Sequence, residues 1–233
     1  MKIKMKKKKI EKSAWLLERS RLFAEYAERE PNICDRVGVR LENKKWGWIN
    51  AYFSINGEEK NLIELSNVYE PFVDIKKWLE NIVKNEKEYK HIVSMVEINC
   101  EGYGAALYYE PMLTLNNNWN GCEPWICLDT GIFYIFDSAD NKVWADAICD
   151  TRDFVKSIYE SIINFAKEMQ QDDWFIDDWV WDAYNNEMGP YNGDEPELKE
   201  LFLKKVKSEE IEDYIKNGKE PEWIPIRLND KNL

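Results

Sequence analysis

The sequence predicts an α+β fold: a largely antiparallel sheet of about six to eight strands, helices packed on one face, and a helical C-terminal extension. Three observations carry that expectation. Short apolar and β-branched runs cluster in two groups, separated by tight-turn residues. Two stretches, opening at Pro71 and near Asp150, place apolar residues at helical spacing. After Gln170 the chain turns to acidic, aromatic and short charged segments. The expected boundaries are a basic tail over 1–12, an α+β core over 13–170, and an acidic, aromatic-rich helical extension packed on it over 171–233.

The elements follow in order. A helix is expected over residues 12–30, with Trp15, Arg19, Leu22, Phe23 and Tyr26 three or four apart and Pro31 ending it. A β-meander comes next: Val37–Leu41, Trp46–Ile55 and Asn61–Leu65. Its hairpin signal is Asn56-Gly57, because both residues tolerate positive φ. Pro71 suits the first position of a second helix, having a fixed φ and no N–H to satisfy. Phe72, Ile75, Leu79 and Ile82 form that helix's inner stripe, and it ends near Asn85.

His91–Asn99 and Tyr103–Tyr109 read as paired strands about a Glu101-Gly102 turn. Residues 111–124 read as a loop, and three more strands follow over 125–128, 132–136 and 142–148. Asp150 or Thr151 caps a third helix, with Asp153 in its first turn where the helix dipole favours an anion. Phe154, Val155, Ile158, Tyr159, Ile162, Phe165, Ala166 and Met169 give it a wide apolar face, so it should lie across the sheet. Short charged helices are expected over 195–207 and 208–216, and an extended end over 221–233.

Composition narrows the function. Apolar residues make up 44% of the 233, enough for a substantial core. The net charge is −12, and its distribution matters more than its sum. In residues 1–12, seven lysines against Glu11 give +6, which leaves −18 for the rest. Such a body repels phosphates and argues against direct nucleic-acid binding, whereas it attracts a basic protein and speeds the encounter. The five cysteines are odd in number, show no CxxC and follow no secretory pattern, so reduced thiols in the cytoplasm are expected. No apolar run approaches the roughly 18 residues of a membrane span.

Chemical motifs are sparse. His91 is the sole histidine, so any Ser-His-Asp or Cys-His arrangement must use it, with Cys100, Cys122, Cys127 or Cys149 as the thiol. An edge-strand histidine explains it as well. Cys122 and Cys127 are five apart with Pro124 between, a poor zinc spacing, and neither metal nor cofactor is expected. No phosphate-cradling glycine loop occurs. Asp129, Asp137, Asp146 and Asp150 lie near strand ends and offer carboxylate chemistry, but among 44 acidic residues such proximity is expected by chance.

The most distinctive segment is Asp172-Asp173-Trp174-Phe175-Ile176-Asp177-Asp178-Trp179-Val180-Trp181-Asp182. Read as an α-helix, it turns Trp174, Ile176, Trp179, Val180 and Tyr184 toward the body and keeps an acidic outer face. The bland reading is a docked amphipathic helix. The functional one is a recognition patch of Asp172, Asp173, Trp174, Asp177, Asp178, Trp181 and Asp182, whose acids meet lysine and arginine while the rings supply contact area. A second set, Trp46, Trp48, Tyr52, Trp119 and Trp125, would stack on sugars or a small ligand if exposed, though burial beneath helices is expected.

In layout and charge the chain resembles bacterial immunity proteins that neutralise polymorphic toxins, and residues 69–80, Tyr69-Glu70-Pro71-Phe72 through Leu79-Glu80, resemble helix openings in such proteins. The resemblance implies a non-catalytic inhibitor directed at a basic nuclease-like partner, and it transfers no individual functional residue. Two alternatives stay open: a small-ligand or glycan-binding domain using the tryptophans, and a hydrolase using carboxylate or cysteine chemistry.

Overall fold

The structure, a computed structural model, describes residues 21, 34–69, 71–88, 90, 92–101, 104–112, 114–116, 125–127, 129–137, 139–181, 195–218 and 224–225. The basic tail and His91 lie outside these residues, as does the helix expected over 12–30 except for Arg21, which is helical.

The class is α+β, but the strands do not form one sheet of six to eight. Among the described residues they divide into two main antiparallel sheets and a small third one. The first contains β1 (Val37–Lys45), β2 (Trp48–Ile55) and β3 (Glu58–Ser66) in that order. The second contains β4 (Ser94–Asn99), β5 (Gly104–Pro111), β8 (Thr130–Asp137) and β9 (Lys142–Asp150), ordered β4-β5-β8-β9. The third joins β6 (Thr114–Asn116), β7 (Trp125–Cys127) and β10 (Ile224–Pro225). Thus β6 falls inside the segment expected to be a loop.

Helix α1 (Pro71–Lys87) separates β3 from β4 in the chain, so the second group of strands starts a new sheet rather than extending the first. Where β1 approaches β9, no ladder forms. Asp35 N–H donates to the Ile148 carbonyl at 2.6 Å, and its carboxylate accepts the Ile148 N–H at 3.2 Å. The side chain stands where a strand carbonyl would be, and pairing stops after one residue.

Turn chemistry sets the hairpins. Asn56 (φ 54°) and Gly57 (φ 81°) close β2–β3, as the sequence predicts. Asn56 also holds the chain before β1, accepting from Arg36 N–H at 2.9 Å and donating to Asp35 at 2.8 Å. The β1–β2 turn differs from expectation. β1 runs on to Lys45, and Trp46 sits in the turn instead of opening β2.

The core lies between the sheets and two long helices. Helix α2 (Thr151–Met169) starts at Asp150, whose carboxylate accepts Asp153 N–H at 2.8 Å. All eight residues of its expected apolar face are buried, and Ser157 ties it to β1 through the Val37 carbonyl at 2.7 Å. Phe53 of the first sheet stacks on Phe133 of the second at 6.0 Å, and Phe154 of α2 packs against Phe133, Tyr109 and Trp78 at 5.0, 4.9 and 5.8 Å. Ile132, Tyr134 and Ile148 form a smaller cluster on the other face of the second sheet. β8 is therefore buried on both faces, which accounts for its unbroken run of apolar residues.

The C-terminal elements share the main core. Helix α3 (Asp173–Phe175) continues into a π-helical turn (Ile176–Trp181), and α4 (Glu195–Val206) and α5 (Glu209–Asn217) follow. Phe175, Trp179 and Phe202 surround Phe72 of α1 and Phe165 of α2 with ring separations of 5.0–6.1 Å. Each buried ring contributes about 1.5–3 kcal/mol, so these elements add substantially to the core. Among the described residues, no helix is long and apolar enough to cross a membrane.

Candidate recognition surface

Two segments far apart in sequence meet at one end of the first sheet. The first is the β1–β2 turn, where Lys45 (φ 67°), Trp46 (φ 56°) and Gly47 (φ 79°) are all left-handed. Glycine accepts this backbone without strain, but for tryptophan it costs of order 1 kcal/mol. The turn is pinned from just beyond β3, where Asn67 N–H donates to the Gly47 carbonyl at 3.0 Å. The result is Trp46 held clear of the body, 76% exposed.

The second segment follows α2. Asp172 caps α3, accepting the Phe175 N–H at 3.2 Å. Phe175 and Ile176 are buried and anchor the turn, while Trp174 between Asp173 and Phe175 points outward, 52% exposed. The Trp46 and Trp174 rings meet edge to face, centroids 5.5 Å apart at 61°.

Asn43 joins the two segments. Its side-chain oxygen accepts the Lys45 N–H at 3.0 Å, and its amide nitrogen donates to the Asp172 carboxylate at 3.0 Å. Lys45 Nζ lies 6.0 Å from the Trp174 ring centroid, the outer reach of a cation–π contact. Val68 (67% exposed) and Tyr69 (47% exposed) follow Asn67 directly. Among the described residues seven large apolar side chains are exposed; Trp46 and Trp174 meet here, and Val68 and Tyr69 follow the residue that pins the turn.

Of the residues expected to form the patch, Asp173 and Trp174 are exposed, and Asp172 is half-buried and committed to capping. The backbone of Asp177, Asp178 and Trp181 lies in the π-helical turn, but their side chains, and Asp182 altogether, are outside the described residues, as is Tyr184. One expectation is corrected. Trp174 does not face the body; Phe175 takes its place beside Ile176, Trp179 and Val180. At about 100° per residue Phe175 lies within about 40° of Trp179, whereas Trp174 lies about 140° from it and nearly opposite Ile176, so even α-helical spacing gives the buried face to Phe175 and the expected face was drawn out of phase. Sequence reasoning missed Asn43, Lys45, Val68 and Tyr69, and expected Trp46 in a strand. The usable signal was Gly47 immediately after Trp46, which permits a tight turn there.

In the second aromatic set, Trp46 is exposed rather than buried, while Trp48 and Tyr52 are half-buried, with the Arg40 guanidinium 3.8 Å above the Tyr52 ring. Trp119 and the Trp125 side chain lie outside the described residues.

Of the residues weighed for catalysis, Asp137 and Asp150 hold backbone N–H groups. Asp137 is buried and caps the β8–β9 turn, accepting from Ala139 and Asp140 N–H at 2.6 and 3.2 Å. Asp150 caps α2. Asp129 and Asp137 flank opposite ends of β8, so of the four strand-end aspartates only Asp129 and Asp150 come together. Cys100 and Cys149 are buried, and Cys122 and the Cys127 side chain lie outside the described residues. Cys34 is at the surface, but partial desolvation and then Asp150, Asp129, Asp35 and Asp153 push its thiol up, the opposite of an activated nucleophile. Among the described residues, no group of histidine, cysteine or acidic side chains is placed to hold a metal ion.

One ionisable group stands apart. Glu86 of α1 accepts the hydroxyl of Tyr214 from α5, and burial pushes its carboxyl up to about 7. Asp150 and Asp129 raise it further, while the Tyr214 bond and Arg152 oppose the shift. Arg152 meanwhile donates to the Ile215 carbonyl at 2.6 Å, so this cluster fastens α5 to the core.

In comparisons with known proteins, no family model, no curated protein and no solved structure matches the chain.

Proposed function

We propose that this is a non-catalytic binding protein of the immunity or inhibitor type. It covers a basic protein partner, such as a nuclease toxin, with the acidic aromatic surface around Trp46 and Trp174. The observation that carries the reading is the exposed edge-to-face tryptophan pair beside Asp172 and Asp173, with Trp46 held there in a strained backbone. A solitary protein gains nothing from that arrangement, whereas an interface gains two rigid aromatic anchors of the kind that dominate binding energy. The net charge of −12 supplies long-range attraction for a basic partner. A cytoplasmic setting belongs to the same reading and rests on the odd number of cysteines.

The test is to produce the chain with the product of its neighbouring gene and follow their association against ionic strength. A steep fall with salt is expected, and replacing Asp173, Asp177 and Asp178 with serine should slow association at low salt. An association rate indifferent to both changes refutes the reading. The same exposed rings favour a second reading, stacking on a sugar or other neutral ring, which salt would leave unchanged.

A further inference from the structure

We propose that the Trp46–Trp174 pair is a receptor for an arginine side chain of the partner, which enters in place of the protein's own Lys45. This deepens the preceding proposal and rests on its basic partner.

Four observations converge on a cation, and on arginine in particular. First, Lys45 Nζ already stands 6.0 Å from the Trp174 centroid, so a positive charge is accommodated beside that ring. The contact is at the limit of useful range and its ammonium is exposed, so it is weak and displaceable. Second, the rings stand at 61° to each other, which offers a planar group one ring to stack on and the other as a wall. A guanidinium is planar and weakly hydrated and stacks in this way; an ammonium is a compact, strongly hydrated charge that does so poorly.

Third, negative charge flanks the rings. The half-buried Asp172 carboxylate takes one N–H from Phe175 and one from Asn43, which fixes its position, and exposed Asp173 follows it. Fourth, the receptor is built in advance. Asn43 ties the turn to Asp172, Asn67 pins Gly47, and buried Phe175 and Ile176 hold the base of Trp174. An arginine therefore arrives at rings that need little further ordering.

The test titrates the full chain by calorimetry with three probes: an arginine-rich peptide, a lysine-rich peptide of equal length, and a neutral oligosaccharide. The arginine peptide should bind about two- to fivefold tighter than the lysine peptide. Trp174→Ala and Trp46→Ala should each reduce that ratio toward one while leaving lysine-peptide affinity nearly unchanged. Lys45→Ala should raise the ratio, because it frees the ring, whereas loss of one positive charge alone strengthens both peptides equally. Both tryptophans are exposed, so their truncation leaves the core intact. Equal affinity for the two peptides, or a preference that survives both substitutions, overturns the arginine receptor while leaving a basic partner standing. Failure of both peptides to bind overturns the partner reading as well, and binding of the oligosaccharide alone gives the rings to a neutral ligand.

Discussion

Replacing Glu86 with glutamine should stabilise the protein at pH 8 and change little at pH 5. The carboxyl of Glu86 titrates near 4.5 when solvated and is pushed up to about 7 in the fold, chiefly by burial. Below about pH 4.5 it is protonated in both states, and its burial carries no ionisation cost. Between these values the folded chain holds a proton that the unfolded chain releases, so stability falls as pH rises. Above about 7 the cost is complete, and the separation of the two values makes it about 3 kcal/mol at most. Glutamine removes the charge and keeps an oxygen to accept the Tyr214 hydroxyl. The preference of the Tyr214 hydroxyl for the charged form already opposes the shift and is contained in it, so glutamine, standing in for the protonated carboxyl, gains about 3 kcal/mol at most at pH 8. Urea denaturation of both proteins at pH 5, 6.5 and 8 measures this, and the difference between them isolates Glu86 from every other titrating group. A variant less stable than its parent at pH 8, or a difference that does not change with pH, refutes the assignment of a desolvated carboxylate at the α1–α5 contact.

Other substitutions separate binding from folding. Trp46→Asn relieves the left-handed strain but forfeits the Trp174 ring contact, each about 1 kcal/mol, so stability should stay within about 0.5 kcal/mol while partner binding weakens; denaturation and calorimetry read the two effects. Asn43→Asp sets a carboxylate against Asp172 in place of the donor, and should cost about 1 kcal/mol of stability and blunt the arginine preference together. Phe202→Ala should cost about 3–5 kcal/mol, because Phe202 is buried edge-on to Phe72 and Phe175 at 5.3 and 5.0 Å; a loss below 1 kcal/mol in denaturation would show that α4 is dispensable to the core.

Elements governed by local chemistry were legible in the sequence. Pro71 opened α1, Asp150 capped α2, and Asn56-Gly57 closed β2–β3, because a fixed φ, a capping oxygen and tolerance of positive φ act within a few residues. Sheet membership was not legible. Whether β1 continues the ladder of β9 depends on Asp35 reaching Ile148 across the fold, and no periodicity encodes that contact. Half of the candidate surface was visible as the acidic aromatic run after Gln170, but its face was misdrawn, because Phe175 rather than Trp174 shares the helical phase of Trp179. The other half, Trp46, was hidden by a partial strand alternation that continues on both sides of its turn. Only the folded chain brings Trp46 to Trp174, through Asn43.

The proposed function places a basic partner on the Trp46–Trp174 surface. Hydrogen exchange of the chain, free and in complex with the product of its neighbouring gene, tests this most directly. Slowed exchange at residues 43–47, 67–69 and 172–176, with β4 unchanged, is the predicted footprint. Unchanged exchange in those three segments, with protection elsewhere in the complex, would contradict it.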